Sequence, residues 1–395
     1  MSTASGTAFM KLSCHCGANS FSFPVVLPIN KKYKSIRLCV CSDCRYQNGT
    51  LAGSFVPAPS VPFDPDSPPS GITVYRSSDI AARYFCSTCS CQLLFRQSLP
   101  ELAKDEGNGF WIATGGLQLP SGEQFEVDAV NFVDCALDGG LASWLPSQSI
   151  NKTLQANINV EDVSALEIAA KDIDNTDILE GKCHCGKVNI ALSRPGQGEN
   201  ELPPKTWGDN TDLMVPYYTP REKQPPIVSE NPWWIREEQV PGKGKRFLGG
   251  LCTCASCRTI AGVEVQSWIF VPTVCIKLKL PDGSVTEWPS REQLVTDERF
   301  ENVIGTYQST AGDPGVLRGY CKTCGANIFW DGLTRQGLID ISAGIFTHRG
   351  IREEAWIEWW TERVSYVEDA EGRHCIGQCL EQGLKDWKKR LGGHV

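Results

Sequence analysis

The chain has 395 residues, 41% hydrophobic and 21% charged, with a formal net charge of −8. That length exceeds one ordinary core and points to two domains or three. Globular composition excludes wholesale disorder, and the acidic balance excludes a general nucleic-acid or anionic-membrane surface.

No apolar run approaches the ~18 residues a membrane helix needs. The start, Met-Ser-Thr-Ala-Ser-Gly-Thr-Ala, has neither a basic leader nor an apolar signal core. The expectation is a soluble cytoplasmic protein with no nucleic-acid or membrane partner; its oligomeric state stays open. The 19 cysteines are clustered at metal-ligand spacings, which in such a chain favours zinc over a disulfide framework.

The first cluster is Cys14-His15-Cys16-Gly17, followed by Phe21 and Phe23 in alternation, the pattern of a strand leaving a knuckle. Next comes Cys39-Val40-Cys41-Ser42-Asp43-Cys44-Arg45, with Gly49 four residues after the arginine. Ser54–Pro57 reads as a strand, then a Pro/Ser-rich loop runs to about Gly71. A short strand from Ile72 to Tyr75 leads to Arg83-Tyr84-Phe85-Cys86 and Cys89, a C-x-x-C knuckle, and strand-like stretches continue past Val133 to Trp144.

The same order then recurs. Cys183-His184-Cys185-Gly186 repeats the first knuckle. Cys252-Thr253-Cys254-Ala255-Ser256-Cys257-Arg258 with Gly262 repeats the second cluster, and Arg318 to Cys321 and Cys324 repeats the third. Ile269–Pro272 is matched to Ser54–Pro57. The spacing from Cys14 to Cys183 is 169 residues, from Cys39 to Cys252 it is 213, and from Cys86 to Cys321 it is 235. A tandem duplication with insertions follows from order, spacing and flanking residues together. The expected bounds are 1–148 for the first zinc domain, 149–179 for an acidic linker, and 180–395 for the second. Val160, Val163 and Leu166 give the linker one short helix. An aromatic-rich insertion occupies about 195–248. Gly- and Pro-rich turns with few long helical periods predict mainly β structure.

In each copy the C-x-C and C-x-x-C pairs supply four thiolates, enough to saturate tetrahedral zinc. Cys14, Cys16, Cys86 and Cys89 form one closed structural site, and Cys183, Cys185, Cys321 and Cys324 the other. The triplets Cys39, Cys41, Cys44 and Cys252, Cys254, Cys257 each suit a zinc with three sulfur ligands. Of the remaining cysteines (Cys91, Cys135, Cys275, Cys375, Cys379), none recurs in both copies. The fourth position is either open to an exchangeable ligand or closed by an Asp, Glu or His. An open position would hold an incoming thiol as thiolate near neutral pH, which predicts thiol chemistry rather than hydrolysis.

At these residues the sequence resembles the family of glutathione-dependent formaldehyde-activating enzymes and centromere protein V. That family's pattern is G-x-C-x-C-G, C-x-C-x-x-C-R, then R-x-F-C-x-x-C-G. Gly181–Gly186, Cys252–Arg258 and Arg318–Gly325 fit it, with Tyr320 as the aromatic. Cys14–Gly17, Cys39–Arg45 and Arg83–Cys89 fit too, with Leu12 and Ser90 where glycines are expected. The resemblance implies two β-tent domains, each with one structural and one catalytic zinc. It also implies a carbon–sulfur lyase that joins glutathione and formaldehyde into S-hydroxymethylglutathione, or the reverse. The rival reading is a non-enzymatic zinc module that binds a protein partner.

Arg45 and Arg258 either orient a substrate carboxylate through a bidentate fork or brace the metal loop. His15 and His184 are expected at the surface, facing away from the metal. Trp207, Tyr217, Tyr218, Trp233 and Trp234 form either a lid over the second triplet or packing against the other domain. Trp356, Trp359 and Trp360 are expected in core strands. His374, Cys375 and Cys379 lack a fourth ligand and are read as incidental. No general base is identified: Asp43 inside the first triplet has no acidic counterpart in the second.

Overall fold

A computed structural model describes residues 7–104, 107–136, 138–145, 178–196, 211–223, 232–239, 244–309, 315–346 and 352–392. The expected linker helix and Trp207 lie outside them. Among the described residues the fold is mainly β, with four sheets and short helices.

The first half contributes β1 (Thr7–Ser13), β2 (Ser20–Val26), β3 (Ser35–Cys39), β4 (Gly53–Pro57), β5 (Ile72–Ser78), β6 (Ala81–Cys86), β7 (Gln92–Gln97), β8 (Phe110–Ala113), β9 (Leu117–Gln118) and β10 (Glu126–Asn131). The second contributes β11 (Ile178–Lys182), β12 (Asn189–Ser193), β13 (Ile235–Arg236), β14 (Arg246–Cys252), β15 (Gln266–Pro272), β16 (Ile276–Lys279), β17 (Val285–Glu287), β18 (Ile304–Gln308), β19 (Leu317–Cys321), β20 (Asn327–Asp331), β21 (Leu338–Ser342) and β22 (Ile357–Trp359). The helices are α1 (Lys31–Lys34), α2 (Ser42–Asn48), α3 (Ala255–Ala261), α4 (Arg291–Thr296), α5 (Glu298–Glu301) and α6 (Ile376–Gly392).

The β1–β2 hairpin shows why the alternating runs fold as they do. Met10 pairs with Phe23 and Leu12 with Phe21, so the period-2 pattern puts the apolar side chains on one face. Strands β4, β15 and β21 are buried along their whole length; β4 and β15 are mostly apolar, while β21 carries Asp340, which pairs with Arg335 at 2.8 Å.

One large sheet runs β10-β3-β4-β8-β7-β6-β5 and the other β14-β15-β21-β20-β19-β18, with β13 beside β14 and β22 also paired to it. The strand order repeats, down to the parallel partner: β10 lies parallel to β3 as β22 lies parallel to β14. The ladders also correct one register. Cys39 pairs with Gly53 and Cys252 with Gln266, so Ser54–Pro57 corresponds to Ser267–Phe270 rather than Ile269–Pro272. The three-residue Phe-Val-Pro likeness is a coincidence offset by two residues, because the ladder is counted from the cysteine cluster and not from the composition of the strand.

A single continuous apolar core spans both halves, from Met10 and Phe23 to Trp356 and Trp387. The seam between the halves is reciprocal. A Cβ on Gly49 would lie 2.1 Å from the carbonyl oxygen of Asn327, and one on Gly262 would lie 2.3 Å from that of Gln92. Likewise a Cβ on Gly344 would meet the Thr50 backbone at 2.2 Å, and one on Gly115 the Arg258 carbonyl at 2.1 Å. Across the same seam Thr50 Oγ1 donates to the Val265 carbonyl at 2.9 Å, and Gln92 Nε2 to that of Gly325 at 2.8 Å.

Helix α6 is the long element that the mainly β expectation left out, although its stripe stands in the sequence. Ile376, Leu380, Leu384 and Trp387 are its buried stripe, at helical spacing. It packs on the 3-10 turn Gly140–Trp144 of the first half, so closely that a Cβ on Gly383 would overlap the Trp144 carbonyl. Trp356 and Trp359 are buried at β22 as expected, while Trp360 is half-buried against the Trp233–Trp234 cluster.

Candidate metal centres

Four sulfur clusters form among the described residues: two of four cysteines and two of three. Each quartet joins a β-hairpin turn to a knuckle between two strands of the large sheet. Cys14 and Cys16 follow β1, while Cys86 ends β6 and Cys89 sits in the turn before β7. Their Sγ atoms lie 3.5 Å apart for Cys14–Cys16 and 3.6 Å for Cys16–Cys86. In the second quartet Cys183–Cys185 and Cys185–Cys321 are both 3.5 Å apart. The Asn19 N–H donates to Cys14 Sγ at 3.3 Å, and the Val188 N–H does the same for Cys183.

These distances test the fit of zinc. A tetrahedron with Zn–S near 2.3 Å places its sulfurs about 3.8 Å apart, whereas a disulfide needs ~2.05 Å. All four sulfurs of each quartet lie within 4.8 Å of one another, and every described cysteine is unpaired. The donor set fits a closed zinc site.

The triplets are built at a strand-to-helix step. Cys39 ends β3, Cys41 is the N-cap of α2 and Cys44 lies in its first turn. Cys252 ends β14, and Cys254 caps α3 with its sulfur accepting from the Cys257 N–H at 3.2 Å. Both helices end at a glycine with φ +70°, Gly49 and Gly262. That left-handed cap is cheap for glycine and strained for any side chain. Each triplet gathers three sulfurs within 4.8 Å, with Cys39–Cys41 at 3.3 Å. No fourth His, Cys, Asp or Glu joins either set among the described residues.

A buried guanidinium faces each triplet. Arg83 Nη2 donates to Cys44 Sγ at 3.5 Å, and Arg318 Nη1 to Cys257 Sγ at 3.9 Å. Arg83 is 4% exposed, its Nε and Nη1 find no hydrogen-bond partner among the described residues, and its Cζ lies 4.0 Å from the Phe95 ring centroid. Hydrogen bonds from the two neighbouring thiols and then, against the effect of burial, the arginine charge hold Cys44 and Cys257 well below the ordinary thiol value. The same thiol contacts and burial hold Cys39 and Cys252 up. Three thiolates around a bound divalent ion would carry a net negative charge, which the buried guanidinium would offset.

Arg45 and Arg258 are placed differently. Arg45 Nη1 donates to the Phe346 carbonyl across the seam at 3.5 Å. Arg258 Nε donates to the Thr253 carbonyl inside the metal loop at 2.8 Å, and its Nη2 to that of Asp369 at 3.2 Å. This is bracing geometry. The arginines that reach the sulfurs are Arg83 and Arg318, and their signal was present in the repeated R-x-x-C of the third cluster.

The knuckle histidines, expected to face solvent, instead cross the seam. His15 Nδ1 is 3.1 Å from Tyr307 Oη, and its Nε2 is 3.1 Å from Ser256 Oγ in the second triplet loop. His184 Nδ1 is 2.8 Å from Tyr75 Oη, and its Nε2 is 3.4 Å from Asp43 Oδ1 in the first. Each closed site therefore abuts the other half's triplet. A side chain at the middle of C-x-C does point away from its own metal, but the outward direction is where the second half packs. Tyr75 and Tyr307 end matching runs, Ile72–Tyr75 and Ile304–Tyr307, which was the available signal. Ser256 also accepts from Arg318 Nη2 at 2.9 Å, so the loop is held from both sides.

Above the second triplet lies a cavity of about 580 Å³, floored by Cys252, Cys254 and Cys257. Trp268 and Trp330 flank the sulfurs, as Phe55 and Phe95 flank those of the first triplet. Tyr217 and Trp233, from the aromatic-rich segment, form part of the outer wall. Of the two readings of that segment, the described residues support the lid, although Trp234 is buried behind it. His374 is not free for a metal: its Nε2 lies 2.5 Å from the buried Glu264, which Arg373 also binds at 2.8 Å.

Residues 9–128 match the family model described as glutathione-dependent formaldehyde-activating enzyme. The matched stretch contains the first quartet and the first triplet, so the chain is similar to that family over this part. No curated protein matches the chain.

Proposed function

We propose, from the match of residues 9–128 to the glutathione-dependent formaldehyde-activating enzymes, that this protein is a zinc-dependent carbon–sulfur lyase acting on adducts of glutathione, or a related thiol, with an aldehyde. We further read the chain as two β-tent domains of that family, 1–148 and 180–395, joined by an acidic linker at 149–179. Each half is assigned one structural and one catalytic zinc, and a reducing, cytoplasmic setting suits so many free thiols. Catalysis is assigned to Cys39, Cys41, Cys44, Cys252, Cys254 and Cys257 with Arg45 and Arg258 as supports of their loops. Among the described residues no helix is long and apolar enough to cross a membrane.

The observation that carries this reading is the three-sulfur cluster facing a buried arginine and flooring a cavity lined by aromatic rings. When bound at the three sulfurs, zinc would supply a positive charge that favours the thiolate form of an incoming thiol. The remaining work falls to the chain. Arg318 offsets negative charge at Cys257 and, through Ser256, fixes the loop between Cys254 and Cys257. The rings of Trp268 and Trp330 give the sulfurs an apolar flank, which strengthens the charge interactions there. In the balanced reaction the thiol sulfur bonds to the carbonyl carbon and its proton ends on the carbonyl oxygen; the reverse breaks the C–S bond and returns the proton to sulfur.

The test is zinc stoichiometry of the reduced protein with and without glutathione, read together with X-ray absorption at the zinc edge. Four zincs per chain, with sulfur coordination rising on addition of glutathione, is the expected result. Sites already saturated and indifferent to thiols would refute the lyase and leave a zinc module that binds a partner.

A further inference from the structure

We infer that the second triplet is built for adducts whose carbon fragment is aromatic or bulky and apolar, rather than for the one-carbon fragment of formaldehyde. This rests on the lyase reading and names its substrate class. A cavity of about 580 Å³ over the sulfurs falls in the range of sites that enclose a drug-sized ligand. Its outer lining joins rings and aliphatic carbon, from Leu213, Tyr217, Trp233, Phe270 and Tyr366, to the internally paired Arg335 and Asp340, 2.8 Å apart.

Three features make up that wall. Leu213 fills the space where Gly250 has no side chain: a Cβ there would lie 2.3 Å from a Leu213 methyl carbon. Trp233 packs edge-on against Phe270, with ring centroids 4.8 Å apart. Tyr217 stacks on Tyr366 at 5.1 Å and 23°. The segment that carries Leu213 and Tyr217 is tied down by Asp212. Its carboxylate accepts from the backbone N–H of Tyr217 at 2.7 Å and of Tyr366 at 2.6 Å, and from the Ser365 hydroxyl at 2.9 Å. The wall is therefore preorganised, which lowers the ordering cost of binding.

The first half shows that this wall belongs to the second triplet and is not a property of the repeat. By ladder register Gly250, Phe270 and Asp340 correspond to Arg37, Pro57 and Trp111. There Arg37 lies over the Trp111 ring, 5.1 Å from its centroid. The aromatic-rich segment has no counterpart in the first half, which passes from β2 to β3 in a few residues. The fragment that matches the second wall is a flat ring, held by contact with the exposed Tyr217 and with the rims that Trp233 and Phe270, each 5% exposed, leave uncovered.

The experiment uses the full-length, reduced, zinc-loaded chain and exchange NMR with carbonyl-labelled aldehydes in glutathione. It compares catalysed C–S exchange for the benzaldehyde thiohemiacetal with that for the formaldehyde adduct. The expected result is a kcat/KM ratio of roughly ten or more in favour of the aromatic adduct. Trp233→Ala is expected to lower that ratio about tenfold and Tyr217→Ala about threefold. Tyr217 is 60% exposed, so its variant decides the matter even if Trp233→Ala does not fold. A formaldehyde adduct exchanged as fast or faster, or a ratio unmoved by Tyr217→Ala, overturns the inference and leaves the lyase standing. No acceleration of either adduct by zinc-loaded protein removes the lyase reading and the inference with it.

Discussion

The reciprocal glycine seam makes a quantitative prediction. Gly262 combines two constraints: a left-handed φ of +70°, and the Gln92 carbonyl oxygen of the other half 2.3 Å from where a Cβ would sit. Two other glycines separate them. Gly283 has φ +88° and nothing within 4 Å, so alanine there meets only the backbone strain of about 1–2 kcal/mol. Gly344 carries no positive φ, yet its Cβ would meet Thr50 backbone N and O at 2.2 Å. Neither is a flexible side-chain end, so alanine there costs the overpacking term of about 1–3 kcal/mol. Gly262→Ala should carry both, about 2–5 kcal/mol, and Gly49→Ala should match it. The assay is urea unfolding of the zinc-loaded protein, comparing midpoints at unchanged m. If Gly262→Ala costs no more than Gly283→Ala while Gly344→Ala is neutral, the halves do not meet along this seam.

The two kinds of sulfur cluster should separate on mutation. Cys185→Ser is expected to unfold its hairpin and lower the melting temperature sharply, because four thiolates tie β11–β12 to the β19–β20 knuckle. Cys254→Ser should keep the circular dichroism spectrum and abolish turnover; equal unfolding by both would make the triplet structural. Arg318→Ala should reduce kcat/KM ten- to a hundredfold and weaken metal retention at the second triplet, with partial recovery in Arg318→Lys, since the arginine supports the cluster from outside it. Burial pushes the Glu264 carboxyl up, but Arg373 and His374 more than offset that and hold it well below the ordinary carboxylate value. Its stabilisation is present above about pH 4.3 and lost as pH falls through the lower folded value. Glu264→Gln, which takes the carboxylate from Arg373 and from the buried Arg258 3.9 Å away, should therefore cost about 3–5 kcal/mol at neutral pH. The gap from wild type should close in acid, as followed by urea midpoints across pH; a pH-independent gap would refute the ion cluster.

The amino-acid sequence by itself determined which sulfurs gather. C-x-C and C-x-x-C are local geometry: each places its sulfurs through one turn, so Cys14 with Cys16, Cys86 with Cys89, and both triplets were legible from spacing alone. Alternation in β1 and β2 likewise carried the β class. The tertiary structure decided what surrounds those sulfurs. Arg83 and Arg318 reach Cys44 and Cys257 only because β6 and β19 cross the triplet loops, a relation between strands that no local period encodes. His15 and His184 were read correctly as pointing away from their own clusters. That each points into the other half's triplet follows from a packing of halves that their own turns do not specify. Helix α6 did carry a stripe, Ile376, Leu380, Leu384 and Trp387, but its partner at Trp144 lies far away in the chain. Spacing sets a sulfur cluster because a turn is short and stiff; the wall, the counter-charge and the seam are long-range contacts, set only when the single core closes over both halves.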